Sequence, residues 1–212
     1  MVFSSELFDR FRQQMLIWIS PNEVEYCTPA SSATDLNQHE ANLAHPHAYY
    51  NRGYFLEINR RGSRLAGDWD IPTLKFASLL EYVAVNEHIQ GYRRWSQSDF
   101  ADRLARYISL GNAVHGYTKP EEYIIERERR LNKLVEQIAS KGVTPVCGSN
   151  AHKAEQDDIS INIGRDGQAL FNNRGHHRLS ISKVLGLSRI PVQCIVMHEN
   201  FVYLNASKRM PH

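Results

Sequence analysis

The chain has 212 residues, of which 42% are hydrophobic and 23% charged, and its formal net charge at pH 7 is +2. This length and composition are typical of a globular domain that buries a hydrophobic core. A net charge so close to neutral does not by itself indicate a nucleic-acid partner. No apolar run reaches the roughly 18 residues that a membrane span needs, so we expect no membrane partner.

The three cysteines, Cys27, Cys147 and Cys194, are widely spaced and include no Cys-x-x-Cys pair. An odd number of separated cysteines is not the pattern of a disulfide framework, and it favours a reducing compartment. The first ten residues contain an early acidic residue and no long apolar run, which is not typical of a secretory signal. We therefore expect a cytoplasmic protein.

The N-terminal part predicts a helix followed by a strand. Apolar residues at helical spacing predict a helix over 3–14, and the short apolar run Met15 to Ile19, ended by Ser20-Pro21, predicts a buried strand. A turn over 22–26 is expected to lead into a further extended piece. The polar stretch 28–51 is predicted to be a long loop.

The middle of the chain predicts mainly helices. Thr73 to Ser109 carries two apolar stripes, and Ser98 is a candidate cap for the second helix. A proline followed by two acids in Lys119-Pro120-Glu121-Glu122 is typical of a helix start, and Lys141-Gly142 is typical of a helix end. The charged run Glu121 to Arg130 is interpreted as an exposed helix face with paired charges.

The C-terminal part predicts two strands, a helix and a third strand. Isoleucines alternate with polar residues over 159–163, Asp166-Gly167 is typical of a tight hairpin turn, and 169–171 is the expected return strand. A helix is predicted over 179–185 and a further strand over 190–197.

A glycine, two histidines and an arginine precede this last helix. We call Gly175-His176-His177-Arg178 the box. Gly175 permits a sharp turn, and the free N–H groups and dipole of the helix start favour an anion. Arg178 offers a planar fork for phosphate oxygens, and His176 and His177 add donors or a proton shuttle. The pattern indicates a phosphate site; the alternative is a capped turn with surface histidines.

A second candidate site is Gly67-Asp68-Trp69-Asp70. Two carboxylates one residue apart on a strand face the same side, where they can hold Mg²⁺ or act as a general base toward a hydroxyl. The alternative is a turn in which Asp68 caps a helix beginning after Pro72. The sequence leaves both interpretations open for Asp68 and Asp70.

The order of elements and the box resemble the ParB/sulfiredoxin superfamily. The similar part runs from about 131 to 198 and includes a helix, the step Gly142-Val143-Thr144-Pro145, the hairpin and the box. Gly67-Asp68-Trp69-Asp70 resembles a motif of an uncharacterised ParB-like subgroup. The resemblance implies an α/β (α+β) fold: a single domain over 1–212 with a small mixed sheet, a ParB/sulfiredoxin-like core and a helical insertion at about 71–130.

The resemblance also implies a role for the box, which holds the phosphates of ATP or CTP in these families. That role is carried over to Gly175, His176, His177 and Arg178. Sulfiredoxins place a reactive Cys where this chain has His176, so sulfinic acid reduction is not expected. Chromosome-partitioning ParB proteins carry Glu-Arg-Arg after the glycine and continue into a helix-turn-helix domain. This sequence has His-His-Arg there and ends soon after its last predicted strand, so centromere binding is not expected.

We therefore expect a protein that binds ATP, CTP or another NTP with Mg²⁺. It would transfer a phosphoryl group to a small-molecule acceptor, as a kinase does, or hydrolyse the nucleotide. Arg178 and the helix start would hold the phosphates, Asp68 or Asp70 would bind the metal or act as base, and His176 would stabilise charge.

Two alternatives belong to other classes. The first is a nuclease acting on DNA or RNA, whose basic stretch from Arg52 to Arg64 contacts the backbone. The second is a non-catalytic module in which a nucleotide switches a partner-binding surface.

Overall fold

A computed structural model describes residues 16–28, 62–71, 74–145, 158–172 and 174–201. Within these ranges, four helices and an open six-stranded sheet form a mixed α/β fold, which confirms the predicted fold class. The predicted helix over 3–14, most of the predicted 28–51 loop and Arg52 lie outside the described residues.

The elements are numbered in chain order. The strands are β1 Leu16–Ile19, β2 Tyr26–Cys27, β3 Ser63–Leu65, β4 Ser160–Ile163, β5 Ala169–Phe171 and β6 Ile190–His198. The helices are α1 Leu80–Ile89, α2 Asp99–Ser109, α3 Pro120–Lys141 and α4 His176–Val184. The sheet order is β1-β6-β4-β5-β2, and β3 also pairs with β6.

Strand β6 is the centre of the sheet, and all nine of its residues are buried. It runs parallel to β4 on one side; on the other side its first half pairs antiparallel with β1 and its last residues pair parallel with β3. A strand covered on both faces has a nearly continuous apolar sequence, which is why its sequence predicts it well. Strand β3 was not predicted, because three residues are too few to show alternation.

The hairpin between β4 and β5 confirms the Asp166-Gly167 prediction. Gly167 has a φ of 81°, and its N–H donates to the Gly164 carbonyl oxygen at 3.0 Å. The Gly164 N–H in turn donates to the carbonyl oxygen of Gln168 at 3.0 Å, which closes the turn. Only a glycine adopts this left-handed conformation without strain.

The helix ends follow the predicted chemistry. Ser98 caps α2 by accepting the Ala101 N–H at 3.2 Å, and α3 begins at Pro120 and ends before Gly142, whose φ is 69°. Two predicted bounds are wrong. Helix α1 begins only at Leu80, because a 3-10 turn occupies 76–78 before it. Helix α4 begins at His176, three residues before the predicted start.

The helices pack on the sheet around one hydrophobic core cluster that includes Phe76, Trp95 and Phe171. Helix α4 lies against α1 and α3, and α2 lies against the same two helices. Helices α1 and α3, which both begin within the predicted insertion at about 71–130, therefore lie against the helix that carries the box. None of the helices in the described ranges has both the length and the apolar composition needed to cross a bilayer.

Candidate functional site

Gly175 positions the start of the box helix. It is the N-cap of α4, with φ 72° and ψ 24° in the left-handed region. A Cβ at this position would lie 2.6 Å from the Ile159 Cα, closer than real contacts allow. Only glycine therefore lets the first turn of α4 lie directly against the chain entering β4.

His176, the first residue of α4, lies beside a buried acid. Its Nε2 is 2.9 Å from Oε1 of Glu81, which belongs to the first turn of α1. The side chain of Glu81 is 1% exposed and that of His176 is 16% exposed. A carboxylate removed from water to this extent requires a compensating partner.

His177 contacts an arginine of α3. Its Nδ1 lies 3.1 Å from Nη2 of Arg127. A guanidinium has only donors, so Nδ1 must accept, and we infer a neutral imidazole with its proton on Nε2. The rings of His176 and His177 have centroids 4.0 Å apart. The two adjacent histidines are thus held by partners of opposite charge.

Arg178 lies at the edge of a groove between α3 and the start of α4. Its Nη1 donates to the Thr144 carbonyl oxygen at 3.3 Å. The groove has a volume of about 340 Å³, and four of its six lining residues are cationic. The lining residues are Arg129, Arg130, Lys133, Leu134, Gln137 and Arg178.

One carboxylate, that of Glu126, offsets part of this charge. Its oxygens accept hydrogen bonds from Arg129 at 2.7 and 2.8 Å and from Arg130 at 2.6 Å. These bonds, from Arg129 first and Arg130 second, lower the pKa of Glu126 to about 2. Four cations against one carboxylate leave the groove positive. Because exposed ion pairs are weak, an incoming polyanion can compete for these arginines.

The motif Gly67-Asp68-Trp69-Asp70 forms a turn that Arg165 holds in place. Arg165 donates from Nη2 to Asp70 Oδ1 at 2.7 Å and to Asp68 Oδ1 at 2.7 Å, and its backbone N–H donates to Asp70 Oδ2 at 2.6 Å. Burial alone would raise the pKa of Asp70. The hydrogen bonds from Arg165, helped by the His198 and Arg165 charges, outweigh burial and hold that pKa below its ordinary value.

This arrangement does not fit a magnesium site. Arg165 already occupies oxygens of both Asp68 and Asp70, and a cation competes with any metal for them. Within the part of the chain that the structure describes, no three His, Cys, Asp or Glu side chains come together as a ligand set. The alternative interpretation is correct in the turn and wrong in the cap, because the next helical turn has Lys75 and not Asp68 as its N-cap.

The two sequence-predicted sites lie at opposite ends of β4. Gly175 contacts Ile159 before the strand, whereas Asp70 contacts Arg165 after it. Strand β4 separates the two contacts, and its four residues alone span roughly 13 Å. The structure therefore brings Gly175, His176, His177 and Arg178 together and does not bring Asp68 or Asp70 to them.

The sequence did not point to the partners of the box. Glu81 resembles an ordinary acid in the first turn of a helix, and Arg127 lies in the charged run interpreted as an exposed face. Their contacts with the box join distant parts of the chain; Arg127 and His177 are 50 residues apart. The only feature of the sequence that could have indicated a partner for the box was the high density of arginines and lysines in α3.

No protein-family model matches the chain, no curated protein is similar to it in sequence, and no solved structure matches it.

Proposed function

We propose that this protein binds the phosphate chain of a nucleoside triphosphate, ATP or CTP foremost, in the groove between α3 and the start of α4. The observation that carries the proposal is the concentration of Arg129, Arg130, Lys133 and Arg178 around one groove of about 340 Å³. Arginine forks bind phosphate oxygens in pairs, and lysine adds a compact point charge.

The start of α4 supports the same ligand. Gly175 places the first turn of α4 by its left-handed conformation, and the first N–H groups of a helix favour an anion. Arg178 lies both in this first turn and in the groove lining. A phosphate chain along the groove would therefore meet the side-chain cations and the helix start together.

A bound nucleoside triphosphate would supply an activated phosphoryl group for transfer to a hydroxyl of a small-molecule acceptor or to water. Arg178 and Lys133 would orient the phosphates, and His176, beside Glu81, would stabilise charge at the helix start. We assign Asp68 and Asp70 to holding the fold through Arg165, and we place no metal on them.

The test is ligand-induced stabilisation. Thermal unfolding is measured with ATP, CTP, GTP and UTP, each with and without Mg²⁺. A ligand at a hundred times its Kd stabilises the native state by about 2.7 kcal/mol. We expect stabilisation in the wild type that is lost in Arg178→Ala and Lys133→Ala. Arg189→Ala removes the same charge from an exposed position beyond the other end of α4 and should leave it intact.

Three outcomes separate the alternatives. No stabilisation by any nucleotide overturns the proposal. Binding of single-stranded nucleic acid with a steep salt dependence, in place of free nucleotides, favours the nuclease alternative. Nucleotide binding without release or transfer of phosphate identifies a switch module and not an enzyme.

A further inference from the structure

Both histidines of the box have their partners in the helices outside the ParB-like region. Glu81 comes from α1, and Arg127 comes from the first half of α3. These contacts give the two rings different roles. Arg127 only donates, so His177 accepts and is neutral, whereas the negative Glu81 carboxylate favours the protonated, charged form of His176, whose Nε2 lies 2.9 Å away.

His176 offers Glu81 a compensating charge at 2.9 Å. Cys27 and Tyr123, which both interact with Glu81, are neutral near pH 7. Burial, helped by the Glu81 charge, raises the pKa of the Cys27 thiol to about 12, and burial likewise raises the pKa of Tyr123. The titratable and charged groups that the structure describes beside the pair include Cys27 of β2, Tyr123 and Arg127 of α3, and His177 of α4, while Lys183 of α4 interacts with Cys27.

An imidazolium at the first position of a helix needs such a counter-charge. The positive end of the helix dipole opposes a cation there, and Arg127, which contacts the adjacent His177, opposes it as well. A second imidazolium with its ring centroid 4.0 Å away would add repulsion, which the neutral form of His177 avoids. The buried carboxylate of Glu81 at 2.9 Å is the group that favours the charge on His176.

We propose that Glu81 is a positioning residue that holds His176 as an imidazolium at the start of α4, so that the box offers a second cation beside Arg178. The expected effect on phosphate binding rests on the proposed phosphate site. The charged state of His176 does not depend on that site. The helical insertion thus contributes to the site, because it supplies Glu81, the acid that sets the charge of His176.

The first experiment needs no ligand. The titration of the His176 ring is followed by NMR in the wild type, in Glu81→Gln and in Glu87→Gln, which makes the same change elsewhere on α1. We expect a wild-type midpoint clearly above the ordinary histidine value of about 6.5. Glu81→Gln should lower it by about one pH unit or more, and Glu87→Gln should leave it unchanged. His176→Gln assigns the signal.

A wild-type midpoint at or below about 6.5 overturns the proposal whether or not the variants fold. An unchanged midpoint in Glu81→Gln overturns it as well, because the charge of His176 would then not depend on Glu81.

The second experiment measures the Kd of inorganic tripolyphosphate and of ATP across the same pH range. In the wild type, affinity should weaken as pH rises through the His176 midpoint, and in Glu81→Gln the weakening should occur at lower pH. Equal affinity on both sides of the midpoint overturns the link to binding. Absence of binding at every pH defeats the proposed function, while the ligand-free titration still decides the state of His176.

Discussion

Gly175 and Ile159 are in direct contact where the box helix meets the central sheet. A Cβ added to Gly175 would lie 2.6 Å from the Ile159 Cα and 2.8 Å from its backbone nitrogen. The obstacle is backbone and not a movable side chain, so a substitution must displace α4 or β4. The position of the box therefore depends on the absence of a single side-chain atom.

Gly175→Ala should lower the free energy of unfolding by about 2–5 kcal/mol, from left-handed strain and overpacking together. Gly186→Ala is the matched control, because Gly186 has a φ of 65° but a Cβ added there would meet no atom within 4 Å. That variant should lose only the strain, about 1–2 kcal/mol. Urea unfolding measures both. Equal losses at the two positions would show that the contact with Ile159 is relieved at no cost.

Much of the fold follows from local chemistry. The alternating isoleucines of β4, the Asp166-Gly167 turn and the apolar run of β6 each carry their structure in a few consecutive residues. Pro120 and Gly142 mark the ends of α3 for the same reason. Strand β3 could not be predicted, because its three residues are too few to show alternation and it is defined by its pairing with β6.

The site is less visible in the sequence. The four residues of the box are consecutive, so a local pattern is enough to propose them as a candidate site. Glu81 and Arg127 reach the box only through the packing of α1 and α3 on α4, which no local window contains. The sequence shows the charge of Asp70, but the role of that charge depends on Arg165, which the fold brings from the β4–β5 hairpin.

The thiols of Cys27 and Cys194 should be unreactive in the native protein. Burial raises the pKa of each to about 12, with the Glu81 charge adding to the shift at Cys27. Only the thiolate reacts, and both side chains are shielded from reagents. Alkylation at pH 8, read by mass spectrometry, should leave both unmodified until urea unfolds the chain. Rapid native labelling of Cys27 would mean that β2 opens readily.

Ser98→Ala should destabilise the helical part. The buried Ser98 hydroxyl donates to the Trp95 carbonyl oxygen at 2.7 Å and accepts the Ala101 N–H at 3.2 Å. Its loss leaves a buried donor unpaired and should cost about 1–2 kcal/mol in thermal or urea unfolding. Ser109→Ala, at the exposed end of the same helix, should change stability by less than about 0.5 kcal/mol. A comparable loss in both variants would contradict the capping role.

Asp70 should make the fold sensitive to acid. Its pKa in the folded chain lies below the ordinary value of 3.8 despite burial, because Arg165 hydrogen-bonds its carboxylate. A carboxyl whose pKa is lowered by folding contributes stability above its unfolded pKa and loses that contribution as pH falls through the folded pKa. The contribution is thus complete at pH 7 and begins to decline near pH 4.

Asp70→Asn removes this charge with little change in shape, and it should cost about 1–3 kcal/mol at pH 7. Urea unfolding between pH 7 and pH 3 should show the gap between wild type and variant narrowing below about pH 4, since the wild type loses what the variant lacks. Asp166→Asn, on the exposed turn of the same hairpin, is the control, and Asn-Gly suits that turn equally well. A gap that stays constant down to pH 3 would mean that the Arg165 contact acts through shape and not through charge.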